Sequence, residues 1–197
     1  RTDWARGHQV LRAPSGKSYA LSLLGSRQGW NAALAQAALD ASGLVVSHDA
    51  WKRGLAKVSW RGRFEAIKIG EKTLIVDGGH NPEAARALAA TWKQSPFFKK
   101  PARWIMGIMK DKDTAGVLAP LAPFIKEAVL VRPPSPRALE PVDLAEFVRR
   151  AAPKAQVTIE RDPATAIAAW KNDKRSPKVA VCTGSLYLAG AALKVVG

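Results

Sequence analysis

One stretch of the chain gathers chemically capable residue types beside a helix start able to attract an anion: TLIVDGGHNPEAARAL, Thr73 to Leu88. An apolar run ends at Asp77, Gly78 and Gly79 follow, and after His80 a helical pattern opens at Asn81-Pro82. A carboxylate accepts hydrogen bonds from paired hydroxyls, an imidazole orients or takes a proton near neutral pH, and a helix start attracts anions. Asn81 suits the N-cap and Pro82 the first helical turn, while the two glycines permit positive φ or a close backbone approach. The same residues also fit a plain strand-to-helix turn in which Asp77 and His80 merely satisfy backbone groups, and for either residue alone that is the simpler account.

The elements that must position this turn follow from the periodicity. From residue 64 onward, apolar runs alternate with helical patterns: FEAIKI and KTLIVD, then PEAARALAATWK, ARWIMG, a helix near Ala115 to Ala122, EAVLV, PVDLAEFVRRA, QVTIE, PATAIAAWK, KVAVCT and SLYLAGAALKVV. Runs and helices of these lengths demand crossover connections, so the expected fold is α/β, a Rossmann-like, mainly parallel sheet with helices on both faces. FEAIKI and KTLIVD, joined by only a few residues around Gly70-Glu71, are the exception and predict an antiparallel hairpin. Ligands then belong at the loops on the carboxyl ends of the strands, where Asp77 and His80 stand.

Upstream, Trp60-Arg61-Gly62-Arg63 interrupts the patterns and is expected to be a hinge, residues 60–63, between a section 1–59 and a domain 64–197. The first section offers a strand-like YALSLLG (Tyr19 to Gly25), a helix from about Trp30 to Ala41 and a short helix around Asp49 to Ala56. That is too little for a whole α/β domain and predicts the tail of one whose sheet lies upstream. Its GKS, in APSGKSY, is not read as a phosphate loop: Leu11 stands where the first glycine is required, and no good strand leads into it.

Composition narrows the class. Among 197 residues, 31 Lys plus Arg against 16 Asp plus Glu give a net charge of +15, which favours anionic ligands. The basic residues are spread over KKPAR, VRPPSPR, FVRR and KNDKR, with no zinc-ligand spacing or aromatic RNA-binding motif beside them, so no nucleic-acid partner is expected. No run approaches the ~20 apolar residues of a membrane span and the N-terminus lacks the apolar core of a secretory signal; a cytoplasmic location is expected. The lone cysteine, Cys182, excludes a disulfide framework and reads as a small buried strand residue.

At this point the motifs acquire a family resemblance. DGGHNP resembles the DGAHNP motif of folylpolyglutamate synthase/dihydrofolate synthases, and four further motifs follow that family's order: LLGSRQGWNAALAQAAL, WRGRFE at its WPGR hinge, GIMKDKD and TGSLYLAG. Together they span roughly Leu23 to Gly190. Ser26-Arg27, Arg61 and Gly79 depart from the usual arginine-histidine, proline and alanine. The resemblance implies a Mur-ligase-type C-terminal domain preceded by a fragment of the central ATPase domain. It also implies an ATP-dependent ligase that joins L-glutamate to dihydropteroate or a folate through an acyl phosphate.

By that resemblance Asn31 holds the adenine, Arg63 touches the ATP phosphates, Asp77 accepts from the ribose hydroxyls, and Lys112 and Ser185 hold the carboxylate of the glutamate. His80 lies near the reacting groups. Each role suits the side chain, since an amide both donates and accepts, guanidinium forks onto phosphate, and ammonium or a helix-start hydroxyl pairs with carboxylate. Taken singly, they also fit a helix-surface amide, a solvated basic turn, a strand-end cap, an ordinary charged loop and an N-cap. Magnesium is expected with its ligands in an upstream domain, none in this chain, and the protein is expected to be a monomer whose 197 residues alone do not catalyse. The alternatives are a Mur-type ligase of peptidoglycan precursors, whose DYAHTP pattern is also similar, and a non-catalytic basic binding module on the same fold.

Overall fold

A computed structural model of the chain describes residues 2–4, 7–13 and 16–197. They form two compact units, Arg1–Arg61 and Gly62–Gly197.

In the first unit, β1 (Thr2–Asp3), β2 (His8–Arg12) and β3 (Ser18–Leu21) make an antiparallel sheet, followed by α1 (Ser26–Ala41) and α2 (His48–Lys57). Leu21, Ala32 and Leu55 are its buried core, with Leu11, Tyr19 and Trp51 packed against them. The unit thus has a small sheet of its own rather than only one lying upstream, and a strand, β2, does lead into the GKS segment. HQVLR hides as a strand because its inward residue is polar: Gln9 is buried, and its Nε2 donates to the carbonyls of Leu23 at 2.7 Å and Gly25 at 2.8 Å. Gly16 and Lys17 lie between β2 and the antiparallel β3, with no helix following, so no phosphate loop forms; Pro14 and Ser15 lie outside the described residues. YALSLLG is a strand only to Leu21, and α1 begins at Ser26, four residues before the expected start.

The second unit is a six-stranded sheet in the order β4-β5-β9-β6-β7-β8. β4 (Glu65–Ile69) and β5 (Lys72–Asp77) are the antiparallel hairpin, and β5, β9 (Val179–Thr183), β6 (Ala102–Met106), β7 (Glu127–Leu130) and β8 (Gln156–Ile159) run parallel. The connections carry α3 (Pro82–Gln94), α4 (Thr114–Leu118), α5 (Pro141–Ala151), α6 (Pro163–Asn172) and, after β9, α7 (Leu186–Val196). Strands buried on both faces read as unbroken apolar runs, and VAVCT in β9 is buried at every position. Leu74, Val76, Ile105, Val129, Ala180 and Cys182 meet Ile167 and Trp170 of α6 and Leu188 and Ala192 of α7 on one face. On the other, Trp92 of α3 meets Trp104 of β6 edge to face at 5.5 Å. The helix expected near Ala115 to Ala122 is a five-residue α4 and a separate 3-10 turn, Ala122–Phe124, because Pro120 has no N–H with which to continue the helix.

Candidate active site

At the carboxyl edge of the sheet, β5 delivers Asp77 into a turn that the carboxylate itself organises. Oδ1 accepts the N–H of Gly79 at 2.8 Å and Oδ2 the N–H of Phe64 at 3.0 Å. Burial pushes the carboxyl above its ordinary value, against the pull of these two N–H groups and of the Arg63 charge. Asp77 is therefore bonded on both oxygens from within the chain, and each oxygen keeps a second lone pair for a ligand hydroxyl.

Arg63 lies against the same turn. Gly78 N donates to the carbonyl of Gly62 at 2.9 Å, and Arg63 Nη1 donates to that carbonyl at 3.3 Å. A Cβ on Gly78 would stand 3.0 Å from Arg63 Nη1 and 2.6 Å from Leu186 Cδ2, so glycine is what lets guanidinium, turn and α7 approach. His80 Nδ1 is 3.0 Å from the Gly78 carbonyl. A carbonyl only accepts, so Nδ1 carries the proton, and in the neutral ring Nε2 is left as an acceptor. Asn81 caps α3 by accepting the Ala84 N–H at 2.8 Å.

Two neighbouring loops complete the edge. Gly184 N donates to the Gly79 carbonyl at 3.2 Å, and a Cβ on Gly184 would lie 2.7 Å from the carbonyl oxygen of Gly107. Ser185 is 1% exposed and its Oγ accepts the Leu188 N–H at 2.9 Å, so it caps α7 from inside the protein. In the loop after β6, Lys112 Nζ is 3.1 Å from Asp111 Oδ2, and Arg137 reaches the same oxygen at 3.7 Å. Hydrogen bonding by Lys112, and then the Arg137 charge, hold the Asp111 carboxyl below its ordinary value. The start of α4 abuts the start of α3, since a Cβ on Gly116 would lie 2.8 Å from Pro82 Cγ.

Arg63, Asp77, His80, Lys112 and Ser185 thus share one edge of the second unit. Asn31 belongs to the first unit, exposed on α1, where its Nδ2 donates to Gln28 Oε1 at 3.1 Å beside an apolar cavity of about 670 Å³ that Leu21, Leu34 and Trp60 help to line. Among the described residues there is no group of three or more His, Cys, Asp or Glu that could hold a metal ion. Nor is any helix among them long and apolar enough to cross a membrane.

Residues 62–186 match the family described as Mur ligase, glutamate ligase domain. The chain belongs to the Mur ligase family.

Relatives of this Mur ligase domain are folate enzymes. The chain is 33% identical to the dihydrofolate synthase/folylpolyglutamate synthase of Mycobacterium tuberculosis, covering 100% of this chain and 45% of that protein. It is also similar to the solved structure of Mycobacterium tuberculosis folylpolyglutamate synthase complexed with ADP, at TM-score 0.80 and 29% identity over 96% of this chain and 46% of that one. The bifunctional folylpolyglutamate synthase/dihydrofolate synthase of Yersinia pestis, complexed with AMPPNP and Mn ion, gives TM-score 0.74 and 29% identity over 88% and 40%. The chain spans less than half the length of each.

Three residues at this edge escape the sequence reading. Phe64 and Glu65 open FEAIKI and read as the start of a strand with no role beside Arg63, and Arg137 is one charge among many in VRPPSPR. Phe64 and Glu65 are signalled only by their adjacency to Arg63. Nothing local marks Arg137, which is carried to Asp111 because Lys110 N donates to its carbonyl at 2.8 Å and Met109 bridges Ala138.

Proposed function

We propose that these residues are the glutamate-ligating part of an enzyme that adds L-glutamate to dihydropteroate, to a folate, or to both. ATP phosphorylates the acceptor's carboxylate, and the amino group of glutamate attacks the resulting acyl phosphate. A tetrahedral intermediate forms, phosphate leaves with the bonding electron pair, and the amine proton is lost to solvent or a nearby base. Charge gathers on the transferring phosphoryl group, which is why a donor fork such as Arg63 belongs beside it. Asp77 offers its remaining lone pairs to the ribose, Asn31 the two faces of its amide to adenine, and Lys112 its charge to the glutamate carboxylate. Ser185 acts through the helix start that it caps, and His80 presents Nε2 toward the reacting groups.

The observation that carries this reading is the attachment of Arg63 and Asp77 to one strand-to-helix turn in a glutamate ligase domain whose relatives are folate synthases. The 197 residues alone are expected not to catalyse, nucleotide and metal binding needing residues beyond them. A monomeric, cytoplasmic protein with residues 60–63 as hinge between ATPase remnant and ligase domain belongs to the same proposal. The test is ATP-dependent transfer of radiolabelled glutamate to dihydropteroate and to tetrahydrofolate by the full-length polypeptide containing these residues. Transfer that collapses in folded Arg63→Ala and Asp77→Ala variants is the expected result; no transfer to either acceptor by well-folded wild type would refute the folate assignment.

A further inference from the structure

We infer that Glu65 and Phe64 are positioning residues for Arg63, Glu65 closing the turn ahead of the arginine and Phe64 locking it behind. Three backbone groups flanking Arg63 are engaged. Gly62 N donates to Glu65 Oε2 at 2.8 Å, the Gly62 carbonyl accepts the Gly78 N–H at 2.9 Å, and Phe64 N donates to Asp77 Oδ2 at 3.0 Å. Glu65 itself is the first residue of β4 and pairs in register with Val76, one residue before Asp77, so its backbone is fixed by the sheet. The carboxylate reaching back from β4 thus ties the turn's first residue to the strand hairpin.

The backbone angles show what the ties hold. Gly62 has φ of 72°, open to glycine, but Phe64 has φ of 46°, a left-handed conformation that a bulky side chain rarely adopts without an external reason. Phe64 is 3% exposed, and burial together with the bond to Asp77 supplies that reason. Arg63 stands between these two fixed residues, which set the direction in which its side chain leaves the backbone, and its Nη1 lies 3.0 Å from where a Cβ on Gly78 would stand. Glu65 meets no ligand in the proposed reaction. Its effect passes through Gly62 to the arginine, whose contact with phosphate is the reading given above and on which this inference rests. A fork of donors misplaced by about 1 Å loses much of its value to a transition state, so the turn's geometry belongs to the chemistry.

Two readouts test this on different grounds. In the full-length polypeptide, Glu65→Ala is expected to lower kcat for glutamate transfer about tenfold or more with KM for glutamate within about twofold of wild type. Glu65→Gln, which keeps an acceptor oxygen for Gly62 N, is expected to retain about half of kcat or more. On the 197-residue chain, with no activity required, amide hydrogen exchange at Gly62 is expected to quicken about tenfold in Glu65→Ala and to stay near wild type in Glu65→Gln, at a melting temperature within a few degrees. Unchanged exchange at Gly62 and unchanged kcat in Glu65→Ala would overturn the inference. So would a folded Glu65→Gln as impaired as Glu65→Ala in both readouts. Should wild type transfer no glutamate, the proposed function fails and the exchange result alone decides the positioning role.

Discussion

Asp77 and Phe64 are bound to each other across thirteen residues: the carboxylate accepts the phenylalanine N–H at 3.0 Å, and that phenylalanine is the one described non-glycine residue with positive φ. The group proposed to meet a nucleotide therefore also maintains a costly backbone conformation beside the arginine proposed to meet its phosphates. Removing Asp77 disturbs both.

Stability should register Asp77 through pH. Burial raises its folded value above 3.8, so the folded chain holds this proton more tightly than the unfolded chain does. Its contribution is fully present below 3.8 and is lost as pH rises through the folded value. Urea unfolding of wild type and of non-titrating Asp77→Asn from about pH 3 to about pH 7 is expected to show the difference, wild type minus variant, falling with pH. A difference that rises with pH would contradict the raised value.

Gly78→Ala should act on Arg63 more than on the fold. The new methyl group would meet Arg63 Nη1 and Leu186 Cδ2, both ends of side chains, and Leu186 is 51% exposed and free to move. We expect KM for ATP to rise about tenfold while the unfolding midpoint moves little, and a Gly78→Ala/Leu186→Ala double variant to remain impaired. Recovery in the double variant would assign the fault to Leu186 instead.

Lys112→Met should separate the two substrates. The ammonium lies 3.1 Å from Asp111, not buried in the core, so its loss leaves the sheet intact. KM for glutamate is expected to rise about tenfold or more with KM for ATP within about twofold, measured by initial rates at saturating partner substrate. Equal rises in both constants would remove Lys112 from the glutamate subsite.

Cys182 should be inert. It is wholly buried in β9 and burial pushes its thiol up to about 12, leaving about one thiolate in ten thousand at pH 8. An aromatic disulfide reagent is expected to leave the native chain unmodified and to titrate one thiol after denaturation; stoichiometric reaction with the native chain would show that β9 opens.

Local signals carried a good part of this architecture. The hairpin of FEAIKI and KTLIVD, the Asn81-Pro82 start of α3 and the cap at Ser185 were all legible because each depends on residues a few positions apart. Where partners are distant, the sequence is silent. Neither the contact of Arg63 with Gly78 nor the strain at Phe64 is written in WRGRFE, since both arise only when β4 pairs with β5 and brings residue 64 beside residue 77. Strand β2 carries no local signal because its buried residue, Gln9, is satisfied by carbonyls fourteen and sixteen residues away.

The sheet order has a consequence for how the second unit is made. β5 and β6 never touch as ladder partners; β9, the last of these six strands in sequence, is inserted between them and pairs with both. Until Val179–Thr183 emerges from the ribosome, the nascent chain is expected to hold at most a two-stranded ribbon and a separate three-stranded piece, each with an apolar edge awaiting closure. A chain stopped before Val179 should accordingly remain open to proteolysis however much of the unit precedes it. One stopped within α7 should already resist.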